Sequence, residues 1–237
     1  MKILVVGDSC IDNFIYCDIN RLCPEAPVPV LKPVKKSTNP GMASNVAANL
    51  ESLGAKVDVI TNTELIEKTR YVDIKSGQMI MRLDEEDKCD KYFGSYESSG
   101  YDALVISDYN KGFLGEEDIT SFVKKSSCPT FLDTKKFLGD WSKDVDFIKI
   151  NLPEHNINRG YKHDNLIVTD GKNGATYKGE NYPVLKKVKV SNVSGAGDTF
   201  MAGLIYAYIK NKNIREAIKF ANECASKVVQ ERGVTTI

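Results

Sequence analysis

The four residues Gly195-Ala196-Gly197-Asp198 place small residues next to an acid. Apolar residues then follow at helical spacing: Phe200, Leu204, Ala207 and Tyr208. The spacing predicts a helix opened by a small-residue loop. Backbone N–H groups at a helix start are free, and the helix dipole adds partial positive charge there. The loop is therefore a candidate site for an anion such as a phosphate. Asp198 has two readings. It can cap the helix, or it can take a proton from a hydroxyl that attacks the phosphate. Spacing alone favours the cap and leaves both open.

Other polar groups fall at the ends of apolar runs. Strands are predicted at 2–6, 103–106, 130–132, 147–150 and 166–168. They run, respectively, into Gly7-Asp8, the segment Ser107-Asp108-Tyr109-Asn110-Lys111-Gly112, Asp133-Thr134-Lys135, Asn151-Leu152-Pro153-Glu154 and the turn from Thr169 through Gly171 to Gly174. The carboxyl ends of parallel strands are where open α/β sheets bind ligands, so these turns are expected to form one binding rim. A further core strand is predicted at 57–61. Helices are predicted from the Pro40-Gly41 turn to Leu53, at 116–125 and at 214–230, and edge strands at 175–178 and 182–189. Asn45, in the first turn of its helix, either bonds locally or faces a ligand.

Some strands are of another kind. Segment 14–18 is followed by 28–35, in which valines mix with prolines and lysines, and 69–74 and 78–83 flank the hairpin turn Lys75-Ser76-Gly77. They predict a small β flap over the main core. Its cations Lys68, Arg70 and Arg82 are either solvated charge or a basic pocket for a sugar phosphate.

Composition narrows the class. The chain has 237 residues, enough for one sizeable α/β domain with a small appendage. Lys+Arg and Asp+Glu are both 32, so nothing argues for a nucleic-acid or anionic-membrane partner. No apolar run approaches a membrane span, and the Gly7-Asp8 turn comes too early for a signal peptide. Six scattered cysteines, with no metal spacing, read as thiols of a reducing cytoplasm. Two histidines make a His-based metal site or a Ser-His-Asp triad a poor expectation.

Taken together these segments resemble the ribokinase-like (PfkB) carbohydrate kinases. Within that family the chain is most similar to the kinase half of bacterial enzymes acting on D-glycero-D-manno-heptose 7-phosphate. The likeness is carried by Val5-Val6-Gly7-Asp8 through Asp12, Pro24-Glu25-Ala26-Pro27-Val28-Pro29-Val30, Gly41-Met42-Ala43-Ser44-Asn45, Met81-Arg82-Leu83-Asp84, Ser107-Asp108-Tyr109-Asn110-Lys111-Gly112, Asn151-x-x-Glu154, Gly195-Ala196-Gly197-Asp198-Thr199 and Phe220-Ala221-Asn222. The resemblance implies a mostly parallel central sheet flanked by helices, with a β lid from about 13–37 and 68–84, in one kinase domain over 1–237. It implies ATP and Mg²⁺, with Asp198 as general base and Gly195, Ala196 and Gly197 supplying N–H groups to the transferred phosphoryl group. Asn151 and Glu154 match the motif that places Mg²⁺. Asp12, Gly41 and Asn45 match sugar-binding positions, and Thr169, Gly171, Gly174 and Asn222 match nucleotide-binding ones. Arg70, Arg82 and Lys111 are the candidates for the distal part of the substrate. A homodimer through the lid is implied as well.

The chain departs from the family pattern at several points. Asn192 stands where the family has an acid that helps bind a monovalent cation, so that cation is not carried over. Met42 replaces the second glycine of a Gly-Gly hinge. Stretches after Thr61 and after Glu154 are short, which predicts a sheet face that is thinly covered. No nucleotidyltransferase half is expected. Two other readings remain: a kinase of a hexose or nucleoside, and a shortened, non-catalytic binder of sugar or nucleotide.

Overall fold

Aliphatic and β-branched runs without polar alternation make strands buried on both faces, and the main sheet is built from such runs. The computed structural model describes residues 1–96, 99–185, 188, 190–231, 233 and 235–237. The main sheet comprises β1 (Lys2–Gly7), β4 (Lys56–Ile60), β7 (Ala103–Asp108), β8 (Thr130–Thr134), β9 (Phe147–Asn151), β10 (Leu166–Thr169), β11 (Ala175–Tyr177) and β12 (Glu180–Tyr182). Its order is β12-β11-β10-β9-β8-β7-β1-β4, and neighbouring strands pair parallel except at β10–β11 and β11–β12. One face is covered by α1 (Ala43–Ser52), α4 (Ala196–Asn211) and α5 (Ile214–Val228), which enclose Ile3, Val5, Val105, Phe131 and Ile167. The other face carries Leu4, Val6, Leu104, Ile106 and Leu132 against α2 (Glu116–Lys125) and Phe113-Leu114.

A second sheet has the order β3-β2-β5-β6, from β2 (Ser9–Asp18), β3 (Lys32–Met42), β5 (Glu67–Asp73) and β6 (Met79–Glu85). The even-numbered residues Asp12, Phe14, Lys68, Arg70, Arg82 and Asp84 share one of its faces, because Asp12 pairs with Lys68, Phe14 with Arg70, Arg70 with Arg82 and Lys68 with Asp84.

Several sequence expectations need correction. The strand expected at 28–35 is β3, which runs on to Met42, so Pro40-Gly41 is strand rather than turn. As an edge strand β3 tolerates Pro33 and Pro40, which lack N–H groups. The strand expected at 57–61 is not a core strand. β4 ends the sheet with Val59 exposed, because the chain passes from Ile60 to β5 with no intervening helix. The edge strand expected at 182–189 reduces to β12, and Lys186, Lys187 and Lys189 lie outside the described residues. Helix α4 is not simply amphipathic, since Met201, Ala202, Gly203 and Ile205 are buried together with Phe200, Leu204 and Ala207.

Two details position the rim. Gly7 faces Ser107 across β1 and β7 at φ +155°, and a Cβ there would stand 1.8 Å from the Ser107 carbonyl oxygen. Met42, N-cap of α1, holds φ 59°, a conformation that glycine adopts freely and methionine only at a cost.

Candidate active site

Gly195 is the N-cap of α4, with φ 79°, and no side chain caps the helix. Asp198, in the first turn, is buried and does other work. Its Oδ2 accepts a hydrogen bond from Asn45 Nδ2 at 2.8 Å, and its Oδ1 accepts one from the Tyr109 hydroxyl at 2.7 Å. The capping reading therefore fails. Burial pushes the carboxyl up to about 6, opposed by the two hydrogen bonds, which favour the ionised form. A carboxylate in that range suits proton abstraction near neutral pH.

Both partners are held from behind. Asn49 Nδ2 donates to the Asn45 carbonyl at 2.8 Å, and Thr199 Oγ1 donates to Asn49 Oδ1 at 3.2 Å. The Tyr109 backbone N–H donates to Asp8 Oδ2 at 2.6 Å, which fixes the loop after β7. Burial, with Asp198 beside it, raises the Tyr109 hydroxyl well above its usual value, so it stays a donor.

A cleft of about 1110 Å³ opens beside this group, reaching it through Tyr109 and Gly197. Its walls include Asn151, Thr169, Gly171, Gly174 and Asn222, brought together from β9, β10 and α5 and the turns beside them. At Gly174 only glycine fits: φ is +91°, and a Cβ would stand 2.0 Å from the Tyr182 carbonyl oxygen. Asn222 Nδ2 donates to that same oxygen at 2.8 Å. The helix-start residues Ala196 and Gly197 and the side chains of Tyr109, Asp133 and Lys149 also line the cleft.

Lys149 was not singled out by its sequence context, although a charge inside Phe147-Ile148-Lys149-Ile150 was the available signal. It is buried, pairs with Asp133 Oδ2 at 2.6 Å from the neighbouring strand, and lies 3.3 Å from where a Cβ on Gly197 would sit. Asp133 Oδ1 is buried with no partner among the described residues. The anion end of the cleft thus combines a helix start with a buried ammonium group.

Asn151 and Glu154 form a capping box on α3 (Leu152–Ile157). Asn151 Oδ1 accepts from the Glu154 backbone at 2.8 Å, and Glu154 Oε2 accepts from the Asn151 backbone at 2.8 Å. Glu154 Oε1 also meets the Lys135 ammonium, which lies 5.3 Å from the Tyr109 ring. Among the described residues no group of three or more His, Cys, Asp and Glu side chains is arranged to hold a metal alone.

On the small sheet, Asp12 pairs with the buried Arg70, whose guanidinium lies 5.1 Å from the Phe14 ring. Gly41 touches this pair: a Cβ there would be 2.6 Å from Asp12 Oδ2. Arg82 is half exposed and pairs with Asp84 at 2.8 Å, and Lys111 pairs with Asp87 at 2.5 Å. Neither bonds to Asp198. Asn192 Nδ2 is buried without a partner among the described residues, while its Oδ1 accepts from the Ser194 backbone at 3.0 Å. No helix among the described residues is long and apolar enough to cross a membrane.

Comparison with known proteins bears on this arrangement. The model of the pfkB family carbohydrate kinases matches residues 126–237. The bifunctional protein HldE of a Nitratiruptor species is 33% identical over 292 aligned positions, which take in 99% of this chain and 63% of that protein. The alignment is longer than this chain, so stretches of the relative have no counterpart here. The chain spans less than two thirds of that relative's length. Among solved structures, the Methanocaldococcus jannaschii nucleoside kinase, described as an archaeal member of the ribokinase family, aligns with a TM-score of 0.71 at 17% identity, covering 98% of this chain and 92% of that one. Phosphofructokinase-2 from Escherichia coli, in complex with potassium, aligns with a TM-score of 0.72 at 15% identity, covering 100% and 95%. At these identities the structural likeness speaks to the fold alone.

Proposed function

The chain belongs to the PfkB/ribokinase family, and from that premise we propose that it is a carbohydrate kinase that transfers the γ-phosphoryl group of ATP to a sugar-phosphate hydroxyl. The acceptor that fits best is a heptose 7-phosphate, the substrate class of the kinase half it resembles. The observation that carries the reading is the buried Asp198 carboxylate, held between Asn45 and Tyr109 beside the anion end of the cleft.

In this reading ATP lies in the cleft against Thr169, Gly171, Gly174 and Asn222. Its γ-phosphate points at the N–H groups of Gly195, Ala196 and Gly197, with Lys149 beside them. Asp198 takes the proton of the attacking hydroxyl as the new P–O bond forms and the bond to ADP breaks. Asp12, Gly41 and Asn45 position the sugar, and the small sheet covers it, excluding water that would otherwise compete. The roomy cleft with a glycine wall and a cationic end fits a nucleotide triphosphate. The donor set fits Mg²⁺ carried largely by phosphates and water, with Asn151 and Glu154 orienting its shell. When bound, Mg²⁺ neutralises phosphate charge.

A coupled assay of ADP formation over a panel of sugars, sugar phosphates and nucleosides tests the proposal. Turnover of a heptose 7-phosphate, dependent on Mg²⁺, is expected. Turnover confined to a nucleoside or hexose would replace the acceptor, and binding without turnover of any acceptor would contradict the kinase reading.

A homodimer through the small sheet is also proposed. Edge strand β6 is exposed along its whole length, including Met81 and Leu83. Light scattering is expected to give twice the chain mass, and the chain mass alone at micromolar concentration would refute it. Six free cysteines, three of them buried, agree with a reducing cytoplasm as the proposed location.

A further inference from the structure

Lys68 and Lys111 come from different parts of the fold but meet at one atom. Lys68 lies on β5, and Lys111 lies in the loop after β7. Asp87 Oδ1 stands 2.5 Å from Lys111 Nζ and 3.3 Å from Lys68 Nζ. The two lysine side chains are 18% and 12% exposed, whereas Asp87 is 52% exposed. Lys68 also meets Asp84 Oδ2 at 3.0 Å, and Asp84 Oδ1 meets Arg82 Nε at 2.8 Å. Three cations therefore share two carboxylates, and the cluster keeps net positive charge. Two sheltered ammonium groups converging on one oxygen of an exposed carboxylate is the arrangement that holds a phosphate oxygen.

We propose that Lys68 and Lys111 form a subsite for the phosphate group of the acceptor, and that Asp87 fills this subsite while no acceptor is bound. The proposal rests on the sugar-phosphate reading above and names the residues that would make that choice. Asp87 follows the end of β6 in a segment without helix or strand, so it can withdraw without breaking a ladder. A phosphate dianion brings more charge to the two lysines than one carboxylate does. The place is also right. Lys68 is the cross-strand neighbour of Asp12. Lys111 lies two residues beyond Tyr109, whose hydroxyl donates to Asp198 at 2.7 Å. A phosphate held by Lys68 and Lys111 would tie the small sheet to the rim of the large one. The subsite would then couple recognition of the phosphorylated acceptor to closure.

Calorimetric titration of inorganic phosphate tests this, with the nucleotide cleft filled by a non-hydrolysable ATP analogue and Mg²⁺. Lys68→Met and Lys111→Met are each expected to weaken phosphate binding about tenfold or more, the scale of one charge-assisted hydrogen bond. Asp87→Asn is expected to tighten it about threefold by removing a competing weak ion pair. Phosphate binding that is absent in the wild type, or unchanged in both lysine variants, would overturn the subsite. Weaker binding in Asp87→Asn would overturn the role of Asp87. Phosphate binding that depends on both lysines, in a chain that phosphorylates no sugar phosphate, would leave the subsite standing and reject the kinase acceptor instead.

Discussion

Asp198→Asn is expected to lower turnover roughly 10²–10⁴-fold, the range for loss of a positioned general base. The fold should survive. Asn is isosteric, the helix start is capped by backbone at Gly195 rather than by this side chain, and an amide oxygen can still accept from Asn45 or Tyr109. The KM for ATP should change little, because the carboxylate bonds to Asn45 and Tyr109 and not to the nucleotide wall. Full turnover in this variant would remove Asp198 from the chemistry. The same carboxylate sets the pH dependence. Burial raises it to about 6, so the base is ionised above that pH and protonated below it. Activity should fall as pH drops through about 6, whereas an ordinary aspartate would hold it down to about 4.

Lys149→Met is expected to act on two readouts at once. The substitution leaves Asp133 buried without its cation, and breaking such a pair on one side costs about 3–5 kcal/mol. Thermal unfolding should therefore move to clearly lower temperature. Turnover should fall roughly 10²-fold, because a fixed charge beside Gly197 no longer meets the phosphoryl group. The double variant Lys149→Met with Asp133→Asn separates the two effects. Removing both charges should restore much of the stability and none of the turnover. If turnover returns with stability, Lys149 is a structural cation only.

The main sheet was legible because its strands are continuous apolar runs, and the rim because each run ends in polar residues. Helix α2 was found with its bounds correct, since acids open it, lysines close it and its apolar face is regular. The small sheet was legible in outline, but its borders were not. β2 begins at Ser9 and carries Asp12 and Asn13, polar residues that look like loop and are strand because their partners lie in β3 and β5.

At the site, local pattern misled in two opposite directions. Asp198 looked like a helix cap and is not one. Its partners Asn45 and Tyr109 lie 153 and 89 residues away, beyond any local reading. Asn151 and Glu154, assigned to metal by resemblance alone, do form a capping box, a role that their spacing of three would itself have allowed. The cap orients the pair at the cleft wall and does not exclude the proposed metal role. Lys149 and Asp133 were missed as a pair because their meeting depends on the β8–β9 register.

The role of Asp198 as general base is tested by the pH dependence of kcat, measured on the wild type and on Asp198→Asn with the accepted sugar phosphate and saturating Mg²⁺-ATP. An acid limb centred near pH 6 is expected in the wild type, and a low rate without that limb in the variant. The same limb in both proteins, or a wild-type profile flat down to pH 5, would contradict Asp198 as the base.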